Sequence, residues 1–127
     1  MHSGNYPGMT APHLLMGKTG ERIACRHLMR RGFDVLARRF RTAQGEVDLV
    51  AIENETLVFL EVKTRSTREF GDPAEFVGWQ KQQSLRLAGE EFIARHDLGR
   101  YPYRFDVVEV VAPGTRNQEI VLHRNAF

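Results

Sequence analysis

The chain has 127 residues, 42% hydrophobic and 27% charged, with a formal net charge of +2. That is the material of one globular domain with one core. No apolar run approaches the roughly 18 residues of a membrane span, which excludes a membrane role by helix insertion, and the opening MHSGNYPGMTAPHLLMG lacks the basic start and apolar stretch of a secretory signal.

Residues 1–16 are rich in Gly, Pro, Ser and Asn and are expected to form a flexible arm ahead of a single domain over 17–127. The first element is a helix from about 17 to 31, with Ile23, Ala24, Leu28 and Met29 at helical spacing and Gly32 as its stop. FDVLARRF (33–40) reads as a strand in which Phe33, Val35 and Ala37 alternate inward. GEVDLVAI (45–52) and TLVFLEVKTR (56–65) read as two more strands joined by ENE. STREFGDPAE (66–75) is polar, contains Gly71 and Pro73, and reads as a loop. A second, longer helix follows over 76–96, with Val77, Lys81, Leu85, Ala88 and Phe92 at helical spacing. YRFDVVEVVA (103–112) is a strand, and EIVLHRN (119–125) is a last, edge-like one. The order α-β-β-β-α-β-β predicts an α/β fold, a central mixed β-sheet flanked by helices. The second helix supplies the crossover that a parallel strand pair requires.

The single Cys25 cannot form an internal disulfide, which fits a reducing, cytoplasmic setting. The five histidines are scattered and match no zinc spacing. Charge is unevenly distributed. From Lys18 to Arg41 there are eight basic residues against two acids, so that segment carries +6 and the remainder −4. Lys18, Arg22, Arg26 and Arg30 recur every four residues and form one column on the first helix, and Arg38, Arg39 and Arg41 extend it into the next strand. Such a column is either a solvated face or a set of contacts to a polyanion, and the lack of a balancing acid column favours nucleic acid.

The central hairpin is the informative stretch. With Asn54-Glu55 as a two-residue turn, paired positions sum to 109: Ile52 faces Leu57, Val50 faces Phe59, Asp48 faces Glu61 and Glu46 faces Lys63. Apolar residues meet apolar ones, which supports the register. The cost is a pair of facing carboxylates. At ~5 Å and an effective dielectric near 20 they repel by about 3 kcal/mol, against roughly 5–15 kcal/mol of stability for a whole domain. A divalent cation between them would reverse the sign, and carboxylate oxygens with water and phosphate completing the shell describe a magnesium site. Lys63 lies on the same face as Glu61, placed to hold an attacking water and a phosphate together. Charges near a strand end can instead be simply solvated, with Glu46 and Lys63 as a salt bridge. Arg104 and Asp106, two apart on one strand, read as a structural ion pair or, otherwise, as substrate contacts.

Asp48…Glu61-Val62-Lys63 resembles the PD-(D/E)xK nuclease signature. The chain as a whole, from about Gly17 to Phe127, resembles the YraN family, a bacterial family related in sequence to archaeal Holliday-junction resolvases. The resemblance is carried by Gly20-Glu21, GEVDLVA (45–51), LVFLEVKTR (57–65), FGDP (70–73), Lys81, RFDVV (104–108) and the terminal NAF. It implies a restriction-endonuclease-like core and a Mg2+- or Mn2+-dependent nuclease acting on DNA, with branched or flapped structures among the candidate substrates. Asp48, Glu61 and the backbone carbonyl of Val62 would hold the metal, with Lys63 activating water. Glu21 would join the metal site from the first helix, where it precedes Ala24, Cys25 and Leu28 on their inward face, although a helix-start acid favoured by the dipole has the same position. Lys81 would touch phosphate or stand solvated. Where the family often has a proline or a charged residue before that lysine, this chain has GWQK, and Trp79 is either a stacking surface or packing. The alternative to an enzyme is a non-catalytic nucleic-acid-binding module with a relic carboxylate site. A third reading is an interaction protein that dimerises through the exposed edge strand near Glu119 to His123; a homodimer would also suit a two-fold branched substrate.

Overall fold

Seven elements form in the expected order, in a computed structural model that describes residues 19–66 and 77–127. The expected N-terminal arm, Lys18 and nearly all of the 66–75 loop lie outside the described residues. Helix α1 spans Thr19–Arg30. It ends because Gly32, at φ 93°, takes a left-handed conformation that costs a glycine little. The Gly32 N–H then reaches the Met29 carbonyl and the Phe33 N–H reaches that of Leu28, which satisfies carbonyls the helix end leaves open.

Strands β1 (Asp34–Arg41), β2 (Glu46–Glu53), β3 (Thr56–Arg65), β4 (Tyr103–Val111) and β5 (Glu119–His123) form one sheet in chain order. All neighbours are antiparallel except β3 and β4, which are parallel. Helix α2 (Trp79–Arg95) makes that crossover. The sheet is therefore mixed, as expected. The β2–β3 turn is the two-residue loop Asn54-Glu55, both at positive φ (49° and 65°), the twist that two-residue hairpins favour. The pairing follows the expected register from Glu53↔Thr56 to Leu49↔Leu60.

The sheet is covered on both faces. Helix α2 packs Leu85, Ala88 and Phe92 against Val50, Leu57, Phe59, Phe105 and Val107. Helix α1 packs Ala24, Cys25 and Leu28 against Leu49, Val58, Leu60, Val108 and Val110 on the other side. Double burial is why β3 and β4 read as near-continuous apolar runs. Among the described residues, no helix is long and apolar enough to cross a membrane.

Strand β1 departs from the simple alternation expected of it. The register slips between Val35 and Ala37, so Leu36 and Ala37 both enter the core beneath α2. Farther on, Arg39 has φ 55° and Phe40 returns to that same core. Arg104 and Asp106 form the expected ion pair, at 3.0 Å, and the pair is larger than expected: Glu53 binds both Arg104 and Arg124 at 2.6 Å, and the buried Asp106 also accepts the Asn125 N–H. These contacts hold the C-terminal segment down, with Phe127 stacked on Phe105.

Candidate active site

The site is built where β2 and β3 part. Two strands can keep pairing only while each offers its backbone to the other. At Asp48 the side chain takes over: its Oδ2 accepts the Val62 backbone N–H at 2.8 Å. The ladder consequently stops at Leu49↔Leu60, one position short of the expected Asp48/Glu61 and Glu46/Lys63 pairs. Glu46 instead sits opposite Arg41 on β1 and forms an ion pair with it, with Arg39 at 4.0 Å, so the expected Glu46–Lys63 bridge is replaced by pairing with the edge strand.

The two carboxylates are nonetheless brought together. Burial and the adjacent Glu61 charge push the Asp48 carboxyl up to about 8, against the pull of the Val62 N–H, and Glu21 adds to the rise. Glu61 is only 5% exposed, and it points to the α2 face with Leu57 and Phe59, as alternation along β3 requires. Two lysines converge on its Oε2: Lys63 from the same strand at 3.6 Å, and Lys81 from α2 at 3.3 Å. Lys81 falls at the inward spacing of Val77, Leu85, Ala88 and Phe92, so the helix that covers the sheet also delivers this ammonium. Among the described residues, Glu61 Oε1 is buried without a hydrogen-bond donor.

Glu21 is buried on the inward face of α1, beside Ala24, Cys25 and Leu28, where helical spacing placed it. The first turn of α1 comes so close to β3 that a Cβ at Gly20 would lie 2.0 Å from Thr64 Oγ1. Glycine is thus what lets the helix bring Glu21 up to the end of the sheet. Glu21 raises the Asp48 carboxyl but does not complete a tight trio. Among the described residues, no group of three His, Cys, Asp or Glu side chains is close enough to hold a metal ion.

Asp48 and Glu61 still fit a hard divalent cation as a two-carboxylate donor set. Their donors are all oxygen, one buried oxygen lacks a donor, and like charges are pressed together in a way a cation would relieve. The remaining ligand positions would fall to the Val62 carbonyl, water and substrate.

The basic residues divide into groups. Arg22, Arg26 and Arg30 are exposed on α1, and Arg38 and Arg39 are half-buried on β1. Arg22, Arg26 and Arg38 line one cleft, whereas Arg41 is engaged by Glu46. Trp79 is 72% exposed at the start of α2, so it is not part of the described core. One cluster escaped the reading of the sequence. Glu109, the β4 partner of Lys63, is buried and bound by Arg65 at 2.9 Å and His123 at 3.3 Å. Its signal was the alternation of β4, which puts Glu109 two residues after Val107 on the Lys63 face.

Comparison with known proteins agrees with the resemblance seen in the motifs. The model of the uncharacterised protein family UPF0102 matches residues 20–110. The chain is 42% identical over 114 residues to the UPF0102 protein of Caldicellulosiruptor bescii, covering 88% of this chain and 96% of that one. It is 43% identical over 113 residues to that of Roseiflexus castenholzii, covering 88% and 90%. The UPF0102 protein of Rhodococcus jostii is 40% identical over 119 residues, covering 92% and 99%. Among solved structures, Pyrococcus furiosus SfsA in complex with Ca2+ is similar at a TM-score of 0.33 and 13% identity, covering 94% of this chain and 67% of that one, a likeness too slight to build on. The chain belongs to the YraN-like family UPF0102.

Proposed function

We propose that this protein is a metal-dependent nuclease with a restriction-endonuclease-like core that hydrolyses DNA phosphodiester bonds, branched or flapped DNA being the first substrates to try. The observation that carries this reading is the half-buried Asp48 beside the buried Glu61 at the parting of β2 and β3, with two lysines on Glu61. Asp48, Glu61 and the Val62 carbonyl would hold Mg2+ or Mn2+, with Glu21 acting from α1. A bound divalent cation supplies an acidified water and neutralises charge on the phosphate. Lys63 orients the attacking water and hydrogen-bonds the phosphoryl oxygen on which charge builds. Lys81 holds a second phosphate oxygen, having a point charge to offer from α2. The basic surface of α1 and β1 draws in the polyanion without reading its bases.

The test is cleavage of labelled single-stranded, duplex, flap and four-way-junction DNA with Mg2+ or Mn2+ by wild type and by Glu61→Ala. Cutting by wild type alone is expected, with Asp48→Ala and Lys63→Ala also inactive while folded. Cutting that survives all three substitutions sinks the assignment.

A second reading has its own support. With no trio of ligands among the described residues and with Lys63 and Lys81 already on Glu61, the carboxylate pair is partly neutralised from within the chain. A non-catalytic nucleic-acid-binding module fits that arrangement. It predicts salt-sensitive DNA binding, equal in wild type and Glu61→Ala, and no cutting by either.

A further inference from the structure

Helix α1 and edge strand β1 leave a cleft of about 330 Å³ between them, lined by Arg22, Cys25, Arg26, Met29 and Arg38. It is a different place from the carboxylate pair. Arg22 and Arg26 stand one helical turn apart on α1. Arg38 comes from β1 opposite Leu49, and Leu49 faces the α1 core, so Arg38 projects to that side of the sheet. Three guanidiniums from two elements thus surround one opening. Among the described residues, none of the three is engaged by a carboxylate.

The floor is not basic. Cys25 is buried, and burial pushes its thiol up from the ordinary value despite the nearby Arg38, so it stays neutral and serves as surface rather than as a nucleophile. The Met29 sulfur lies 3.8 Å from Cys25 Sγ, yet Met29 is half exposed. A polarizable thioether presented to solvent between arginines is a contact surface for a flat ring.

We propose that this cleft binds one nucleotide, its phosphate on Arg22, Arg26 and Arg38 and its base against Met29. Guanidiniums pair with phosphate through two parallel hydrogen bonds, which explains arginine rather than lysine at all three places. A bare phosphate would use the rim and leave the sulfur floor empty. The volume is instead at the low end of the roughly 300–1,000 Å³ typical of small-ligand pockets. A base inside a duplex is stacked and cannot enter, so the occupant is a free mononucleotide or an unpaired nucleotide of a strand.

The source that matters follows from position, and this step rests on the nuclease reading. Arg22 directly follows Glu21 on α1 and Met29 lies eight residues beyond it, so the cleft spans from about 1.5 Å to about 12 Å along the helix from Glu21. At about 3.4 Å per nucleotide along a strand, that length reaches up to about three nucleotides from Glu21. The cleft would then hold an unpaired nucleotide flanking the cut and make the enzyme prefer junctions and flaps over continuous duplex.

The experiment is equilibrium binding without metal, so that cleavage plays no part. The probes are a short labelled single strand, the same sequence as a duplex, deoxyadenosine monophosphate and inorganic phosphate, each against the full chain. Wild type should bind the single strand more tightly than the duplex, and the mononucleotide should compete better than phosphate. Arg22→Gln/Arg26→Gln, whose sites are exposed on the helix, should bind the single strand at least about tenfold more weakly and with a salt slope reduced by about 1.4. Met29→Ala should weaken the single strand while leaving the duplex unchanged. The binding is read without metal and is scored by the arginine and Met29 variants alone, so failure of the nuclease reading and failure of this pocket are separable. A mononucleotide that binds through the same arginines while the strand does not would keep the pocket and assign it a free nucleotide. Unchanged binding of every probe by Arg22→Gln/Arg26→Gln and by Arg38→Gln overturns the proposal, as does phosphate competing as well as the mononucleotide.

Discussion

The Asp48 carboxylate accepts the Val62 backbone N–H at 2.8 Å, and this one bond both ends the β2–β3 ladder and holds Asp48 next to Glu61. A backbone donor that would otherwise lack a partner is satisfied by a side chain. The strands part, and the space between them is where a ligand can enter. The cost falls on Asp48, which is kept among buried groups of its own sign.

That cost gives the first prediction. Asp48 has its carboxyl pushed up to about 8 in the folded chain from an ordinary 3.8. Between those two values the folded protein holds a proton that the unfolded chain has released. Folding therefore takes up a proton in this window, and stability falls as pH rises through it, by up to about 1.4 kcal/mol per unit. Asp48→Asn removes the charge, and its side-chain oxygen can still accept from Val62. The variant should be more stable than wild type at pH 8 and should lose most of the slope between pH 5 and 8. Urea unfolding across that range is the measurement. A wild-type stability that rises with pH there would mean that Asp48 is not held protonated.

Adding a divalent cation should act in the opposite direction. A cation on the pair binds the folded state alone, so at 100 times its dissociation constant Mg2+ or Mn2+ should add about 2.7 kcal/mol. The gain should grow with pH, because the cation competes with the Asp48 proton. Asp48→Asn and Glu61→Gln should each lose it. Thermal melts with and without the metal read this directly, independent of any cleavage. Equal shifts in wild type and both variants would place the cation elsewhere.

Much of this site could be read from alternation and spacing. Period-2 alternation put Glu61 and Lys63 on one face of β3, and the apolar pairing gave the hairpin register as far as Leu49↔Leu60. Helical spacing placed Glu21 inward on α1 and put Lys81 on the side of α2 from which its ammonium reaches Glu61. The Asp48–Val62 bond could not be read, because a side chain replacing a backbone partner leaves the residue pattern unchanged. The bulge at Leu36 and the positive φ of Arg39 were also hidden, since neither position carries a glycine to signal it. Glu109 and His123 come together only once the order β3-β4-β5 is known.

Arg104 tests what holds the far end of the sheet. Both oxygens of the buried Asp106 accept from its Nε, at 3.0 and 3.1 Å, and its guanidinium also binds Glu53. The Glu53 carboxyl is held below its ordinary value chiefly by the Arg124 hydrogen bond, with Arg104 contributing. Arg104→Ala would leave Asp106, 0% exposed, with a buried charge supported by the Asn125 N–H and the more distant charge of Arg124. A loss of about 3–5 kcal/mol is expected, the usual result of breaking a buried pair from one side. Arg104→Ala/Asp106→Asn should recover part of it. Denaturant midpoints measure both, and a single variant within about 0.5 kcal/mol of wild type would show the pair to be superficial.

Gly20 tests how the first helix reaches the site. On propensity alone, Gly20→Ala should stabilise α1 by up to about 1 kcal/mol. In place, the new Cβ would lie 2.0 Å from Thr64 Oγ1 and 3.2 Å from Thr64 Cβ. Rotating Thr64 relieves the first contact and leaves the second, so the helix start must shift away from β3 and carry Glu21 with it. The single variant should lose about 1–3 kcal/mol, the usual cost of overpacking. Gly20→Ala/Thr64→Ala should restore most of that loss, with a coupling well above the roughly 0.5 kcal/mol expected of independent sites. If Glu21 assists at the carboxylate pair, the single variant should also show a smaller metal-induced rise in melting temperature, and the double variant should regain it. A Gly20→Ala protein as stable as wild type, with its metal response intact, would mean that α1 does not make this close approach and that Glu21 reaches the site by some other packing of the helix.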